Sequence, residues 1–376
     1  MKKTKAIVID NGSEYTKAGF SGEDQPRSVF LTIVGRPRHV GIMVGNDQKA
    51  IYVGDEAQSK RGILAIKYPI EHGIVCNWND MEAIWEHVFK KELSVDPEEH
   101  PVLLSEPPLN PKANREMLTQ MMFETFNTPS MSLVSQALLS LYETGRTTGY
   151  VINIGSSVTS CVPIKEGHVL ADASYPLDLG GRDLTRYLLK LLEEKGYCFS
   201  SSIPNRSLKE MKETLCYVSL DYEKELIKVS ENNEPYEKKY ELSSGIFLKL
   251  DRQRFGAPEP LFKPFLMGRQ QDGIHKTTYN SINNCPKEIK NELFSNIVLS
   301  GGSSMFPGLD ERLEMEITKF APQNTKVKII APPERKYLSW IGGSILATLS
   351  KFQEMWISKE EYEEYGPTII QKKCLN

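Results

Sequence analysis

The sequence predicts an α/β protein of two similar halves, each offering one polar turn to a ligand held between them. Two stretches and the chain length carry that expectation. In residues 5–21, β-rich runs at 6–9 and 15–20 flank Asp10-Asn11-Gly12-Ser13, which reads as a hairpin turn. Residues 150–167 repeat the plan: an apolar strand, a small polar turn around Gly155-Ser156-Ser157, a second apolar strand, then Lys165 and Gly167. A length of 376 residues suits two domains with substantial cores. A turn rich in Gly, Ser and Asn aims successive backbone N–H groups and a hydroxyl into one concavity, which suits a phosphate, although the same turn also serves as a plain hairpin. Asp10, at a strand end, is placed to reach a metal ion through water.

Composition narrows the classes. A hydrophobic share of 40%, a charged share of 25% and a net charge of −3 describe a soluble globular protein with no general attraction to nucleic acid. The basic start Lys2, Lys3 and Lys5 reads as a solvated terminus. Cys76, Cys161, Cys198, Cys216, Cys285 and Cys374 form no C-x-x-C pair, so neither a zinc site nor a dense disulfide framework is indicated and a reducing, cytoplasmic location is expected. No apolar run approaches the roughly 20 residues that span a bilayer, no signal-peptide core opens the sequence, and Lys372-Lys373-Cys374-Leu375-Asn376 is not a prenylation signal. No membrane insertion is expected.

After the first hairpin, residues 35–57 read as a Gly-rich surface loop with an apolar tip at Val40, Ile42, Met43 and Val44, which prefers a partner. Trp78, Met81, Trp85, Val88 and Phe89 recur at helical spacing over 78–93, and 102–104 is a short buried strand. Asn110-Pro111 supplies an N-cap and N1 proline for a helix through Phe126. Residues 132–144 read as another helix, carrying Gln136 among small and apolar neighbours, where an amide normally finds partners. Gly180-Gly181-Arg182-Asp183 opens an amphipathic helix whose N-terminus can face a ligand. From 195 to 254, polar stretches surround a helix at 208–220, the composition of a smaller inserted lobe. Residues 296–305 read as strand, glycine turn and helix start, where Gly301 and Gly302 let backbone approach a flat ring or a phosphate. A strand at 327–330 ends at Pro332-Pro333, and the apolar helix 340–349 holds Gly342-Gly343, where a close contact needs no side chain.

Several blocks resemble actins closely. They include Ile-Val-Gly-Arg-Pro-Arg-His from Ile33, the run from Tyr52 to Leu64, Lys-Tyr-Pro-Ile-Glu-His-Gly-Ile-Val from Lys67, Leu-Asn-Pro-Lys-Ala-Asn-Arg-Glu from Leu109, Gly-Gly-Arg-Asp-Leu-Thr from Gly180, Leu-Ser-Gly-Gly from Leu299 and Ile-Ile-Ala-Pro-Pro-Glu-Arg-Lys-Tyr from Ile329. The likeness runs end to end and is weakest over 199–290. It identifies a divergent actin or a close actin-related protein. The resemblance implies an actin-like ATPase fold: two similar α/β domains, in four subdomains, with a nucleotide cleft between two phosphate-binding β-hairpins. The implied subdomains are 1–32, 69–136 and 337–376; then 33–68 with a filament-contact loop; then 137–179 and 270–336; then 180–269.

It also implies ATP or ADP with Mg²⁺ or Ca²⁺. By resemblance, Asp10 serves the cation; Gly12, Ser13 and Lys17 form the first phosphate loop, and Gly155, Ser156, Ser157 and Val158 the second. Gln136 matches the residue that positions the attacking water, with Asp10 beside it, and Gly181, Lys209, Lys212, Glu213, Gly301, Gly302, Met305 and Lys336 match nucleotide-pocket positions. Lys209 stands where actins usually have Arg, which keeps the charge and loses the planar fork.

The departures bear on chemistry. Where the family usually reads Asp-Ser-Gly-Asp-Gly-Val-Thr-His, this chain has Asn153, Ile154, Gly155, Ser156, Ser157, Val158, Thr159 and Ser160, so two carboxylates and an imidazole that help hold the cation and activate water are replaced. Glu14 replaces a usual glycine beside the phosphates and either repels the nucleotide or becomes a substitute metal ligand. Residues 40–49 match the loop that inserts into the next subunit, and 263–273, with Arg269 and Asp272, the plug between strands. The cleft that receives actin-binding proteins, near Tyr142, Ile345 and Leu349, gains Glu143 and Lys351. The expectation is an actin-like subunit that binds ATP and joins itself or actin in filaments with slow or impaired hydrolysis. The alternative is a non-polymerising regulatory or capping subunit with structural nucleotide. A sugar kinase or chaperone ATPase of the same superfamily is set aside, because the 36–39 and 52–64 blocks belong to actins.

Overall fold

The computed structural model describes residues 4–38, 49–197, 205–242 and 245–374. The chain forms two compact α/β units, one of Met1–Thr147, Ile164–Ala171 and Tyr337–Asn376, the other of Thr148–Pro163 and Asp172–Lys336.

The first unit is built on a six-stranded sheet in the order Ile357–Ser358, Ser130–Ser135, Val102–Glu106, Ile7–Asn11, Tyr15–Phe20, Ser28–Leu31. The three central strands Ser130–Ser135, Val102–Glu106 and Ile7–Asn11 run parallel, and Tyr15–Phe20 returns antiparallel with Lys17 opposite Asp10. Alternation sends Ile7, Ile9, Val102, Leu104, Met131 and Leu133 into one core with Trp85, Phe89 and Phe126. The other face receives the helices Gln136–Glu143 and Leu338–Leu346. They meet backbone to backbone: a Cβ on Gly342 would lie 1.9 Å from the Leu139 carbonyl oxygen, and one on Gly343 2.9 Å from Val8 Cγ1. Trp340 Nε1 donates to the Val8 carbonyl at 2.9 Å, tying that helix to the strand that carries Asp10.

Three elements differ from the sequence expectation. Residues 132–144 are not one helix: Ser130–Ser135 is a strand and only Gln136–Glu143 is helical. Parallel pairing with Val102–Glu106, which buries Met131 and Leu133 at two-residue spacing, overrides the helical reading. The helix expected from Asn110 starts at Lys112 with Pro111 as its cap, and its last turn, Met121–Thr125, widens to π-helical geometry. The described part of residues 35–57 is not a loop throughout. Val34–Pro37 pairs with Tyr52–Val53 and Leu64–Lys67, and Ile33, Tyr52, Ala57 and Leu64 close a small core of their own, whereas the apolar tip at 40–44 lies outside the described residues. Element ends also shift. The helix expected at 208–220 is Asn205–Leu215, and the strand at 327–330 is Ile329–Ile330.

The second unit repeats the plan. Its sheet places Thr159–Lys165, Gly149–Ile154, Ile297–Ser300 and Ile329–Ile330 side by side, with Tyr175–Leu177 along the first of these. Gly149–Ile154 pairs parallel with Ile297–Ser300, putting Asn153 opposite Ser300. In each unit a hairpin's first strand therefore lies beside a parallel strand from much later in the chain, and its turn projects from the carboxyl end. Ligands of open α/β sheets gather at those carboxyl ends.

Candidate functional site

Three strand ends in the first unit converge on one carboxylate. Asp10 lies near the end of Ile7–Asn11, Ser105 near the end of Val102–Glu106, and Gln136 begins the helix that follows Ser130–Ser135. Asp10 is 2% exposed, Lys17 Nζ lies 2.5 Å from its Oδ2, and Oδ1 accepts from Ser105 Oγ at 2.6 Å and Gln136 Nε2 at 3.0 Å. Burial works to raise the Asp10 pKa. The Lys17 charge and the hydrogen bonds from Lys17, Ser105 and Gln136 outweigh it and hold the carboxyl below its ordinary value. The same Gln136 nitrogen lies 3.3 Å from the Asn11 carbonyl and from Ser105 Oγ. A carboxylate oxygen and a carbonyl oxygen only accept, so Nε2 must face them and Oε1 is the end left for another group.

The turn itself is closed by Gly12 N donating to the Tyr15 carbonyl at 3.0 Å, and a Cβ at Gly12 would stand 2.8 Å from that oxygen. Ser13 is buried and its Oγ accepts from Gly73 N at 3.2 Å. Glu14 is half-buried, with its carbonyl accepting from Thr32 N at 2.9 Å.

The second turn is held mostly by main-chain groups and hydroxyls. Gly155 N donates to the Val158 carbonyl at 2.9 Å, and the Gly155 carbonyl accepts from Gly181 N and from Ser303 Oγ, both at 3.0 Å. Arg182 N donates to the Ser156 carbonyl at 2.8 Å. The start of helix Gly181–Glu194 thus does not present these first N–H groups to a ligand, as the sequence suggested; they bond the turn. Gly180 permits the approach, because a Cβ there would lie 2.6 Å from the Ser156 carbonyl oxygen. Ser156 Oγ is buried without a hydrogen-bond partner, Ser157 is buried, and Val158 is half-buried.

The remaining predicted positions fall in two groups within the second unit. Lys212 is buried and its Nζ donates to the Gly181 carbonyl at 2.7 Å, while Lys209 pairs along the same helix with Glu213 at 3.8 Å. Gly301, at φ 91°, could not carry a side chain: a Cβ would meet Asn153 Oδ1 at 2.4 Å. Gly302 faces open space, and Met305, at the end of the same short turn, is 37% exposed. Lys336 is exposed beside Arg335, whose carbonyl accepts from Gly301 N at 3.0 Å. Sequence reasoning missed Ser105, Asp183 and Ser303; each acts through a partner far away in sequence. Among the described residues, no three His, Cys, Asp or Glu side chains gather as a metal cluster, and no helix is long and apolar enough to cross a membrane.

The family profile described as Actin matches residues 1–375. The chain belongs to the actin family. The fold is accordingly the actin-like two-domain α/β fold. Members of this family generally bind a nucleotide with a divalent cation, and the residues present fit such a group. The glycine-floored turns and the unpartnered Ser156 hydroxyl suit phosphate oxygens, and one carboxylate at Asp10 suits a cation that keeps most of its waters. On the first unit, Ile345, Leu349 and Met355 are 43%, 49% and 43% exposed, Tyr142 and Glu143 are half-buried, and Lys351 is exposed.

Proposed function

We propose that this actin-family chain is a cytoplasmic, cytoskeletal subunit that binds ATP or ADP with Mg²⁺ or Ca²⁺, assembles into or associates with actin-type filaments, and hydrolyses ATP slowly. The observation that supports this reading best is the Asp10 network, in which Lys17, Ser105 and Gln136 all donate to one carboxylate. In this reading Gly12, Ser13 and Lys17 hold phosphate on the first turn and Gly155 to Val158 on the second. Gly181, Lys209, Lys212, Glu213, Gly301, Gly302, Met305 and Lys336 serve the rest of the nucleotide. The bound nucleotide and its cation supply the electrophilic phosphorus.

Gln136 explains why turnover is slow. Its Nε2 is committed to Asp10, Asn11 and Ser105, so it offers a water only Oε1, an acceptor that orients but is far too weakly basic to take a proton. Asn153, Ser156 and Ser160 supply no ionised base in place of the family's carboxylates and imidazole. Equilibrium binding of ATP and ADP at millimolar nucleotide, followed by single-turnover phosphate release, tests both halves; no binding sinks the proposal.

A second reading, a non-polymerising regulatory or capping subunit with structural nucleotide, is favoured by the fastening of the 263–273 segment. Arg269 Nη2 bonds Asp183 Oδ1 at 2.8 Å and Nη1 lies 3.4 Å from Asp178 Oδ2. Sedimentation after adding salt and Mg²⁺ separates the two readings, since robust self-assembly excludes the second.

A further inference from the structure

The segment around Phe265 stands on two ionic feet. Lys263 Nζ lies 2.6 Å from Glu223 Oε1 and 3.8 Å from Glu259 Oε1 at one end, and Arg269 grips Asp183 at the other. Between them the short turn Pro264–Met267 leaves Phe265 67% exposed and is closed by Gly268 at φ 75°. The two feet differ in what they hold. The nearer partner of Lys263, Glu223, is an exposed surface carboxylate, and the farther one, the buried Glu259, also pairs with Arg312 at 3.4 Å, whereas Asp183 is 5% exposed and already employed at the second turn. Its Oδ2 accepts from Gly180 N at 2.9 Å, and the residues beside it, Gly181 and Arg182, donate their N–H groups to the Gly155 and Ser156 carbonyls. The second competitor for Asp183 is weak: Arg186 Nη1 is 3.7 Å away on a 75% exposed side chain.

We propose that Arg269 is a positioning residue for the Gly155-Ser156 turn, acting through Asp183, so that the state of the Phe265 segment and the hold on nucleotide are linked. Arg269 neutralises the buried Asp183 and fixes its rotamer, Asp183 fixes the first turn of helix Gly181–Glu194, and that turn holds the two carbonyls that shape the loop. Linkage is reciprocal: whatever loosens the Phe265 segment speeds nucleotide release, and nucleotide binding steadies the segment. The nucleotide part rests on the proposed ATP binding; the mechanical part, from Arg269 to the turn, does not.

The test compares the full-length protein with Arg269→Met, Arg269→Lys and Asp183→Asn by amide hydrogen exchange and by release of etheno-ATP. With or without nucleotide, Arg269→Met is expected to speed exchange at Gly181 and Arg182 by about fivefold or more, Asp183→Asn to do the same, and Arg269→Lys to restore most of the protection. Lys263→Ala frees the other foot and is expected to leave those two amides within about twofold, which separates this route from general loosening. Unchanged exchange at Gly181 and Arg182 in Arg269→Met overturns the inference, whatever the nucleotide does. If the parent protein retains etheno-ATP, Arg269→Met is expected to release it about fivefold faster, and an unchanged rate also overturns the linkage. Failure of the parent to retain nucleotide sinks the ATP-binding reading and the linkage with it. The exchange data then stand alone on the positioning role.

Discussion

Asp10 in the first turn carries a full charge buried among an ammonium, a hydroxyl and an amide, whereas Ser156 in the second carries a neutral hydroxyl with no partner. Both turns close with a glycine N–H on a carbonyl three residues ahead, Gly12 on Tyr15 and Gly155 on Val158. Their shapes come from backbone and their chemistry from side chains. Shape can therefore persist in both while charge is kept in one, and in the proposed function that difference separates holding a nucleotide from turning it over.

The largest effect follows from removing the charge that defines the first turn. Lys17→Ala leaves Asp10 buried without its cation and is expected to cost about 3–5 kcal/mol in denaturant unfolding, with loss of nucleotide retention. A cost under about 1 kcal/mol would mean that Ser105 and Gln136 alone satisfy the carboxylate. Making the second turn like its family relatives is the converse experiment. Asn153→Asp, Ser156→Asp and Ser160→His together are expected to raise single-turnover phosphate release on the order of 10²-fold. No increase would implicate Glu14 or the disposition of the units.

Geometry without charge comes next. Gly180→Ala drives a Cβ to 2.6 Å from the Ser156 carbonyl oxygen and is expected to cost about 1–3 kcal/mol, while Gly62→Ala, with nothing within 4 Å, stays within about 0.5 kcal/mol. Equal stabilities of the two variants would refute the close packing of helix against turn.

The smallest net effect is expected with pH. The depressed Asp10 pKa means its contribution is present above its ordinary 3.8 and lost only as pH falls through the still lower folded value. Near neutrality the response belongs to the second unit. Burial pushes Glu259 up to about 7 against the pull of Arg312 and Lys263, so from its ordinary 4.5 up to that value folding stability falls as pH rises. Burial also pushes His275 down to about 4, against Glu316 and Asp272 and with Lys276 and Arg312, so between there and 6.5 stability rises with pH. The two slopes oppose each other, and the parent protein should be nearly flat where they overlap. Glu259→Gln should expose the rising His275 slope in melting temperatures measured across that window; a curve that stays flat contradicts the assignment.

Much of this was legible because it is local. Gly180, Gly181, Gly301, Gly342 and Gly343 announce close approaches without any knowledge of the partner, and the order of apolar strand, small polar turn and apolar strand marks both hairpins. What was not legible depends on distant pairing. Ser105 matters only because its strand lies beside that of Asp10, 95 positions away, and Ser130–Ser135 becomes a strand only because Val102–Glu106 offers it an edge. Arg269 reaches Asp183 across 86 positions, and its sequence context shows a lone charge after a glycine. The helix start at Gly181 misled for a related reason: a helix N-terminus advertises donors, but not which carbonyls already accept from them.

Single-turnover hydrolysis of bound ATP, with and without polymerising salt and Mg²⁺, tests the division between the two turns most directly. The proposed function leads to near-stoichiometric ATP retention with slow phosphate release, because a charged first turn would hold what an uncharged second turn would not help to cleave. Rapid release in the parent protein, or no retained ATP at all, would contradict it.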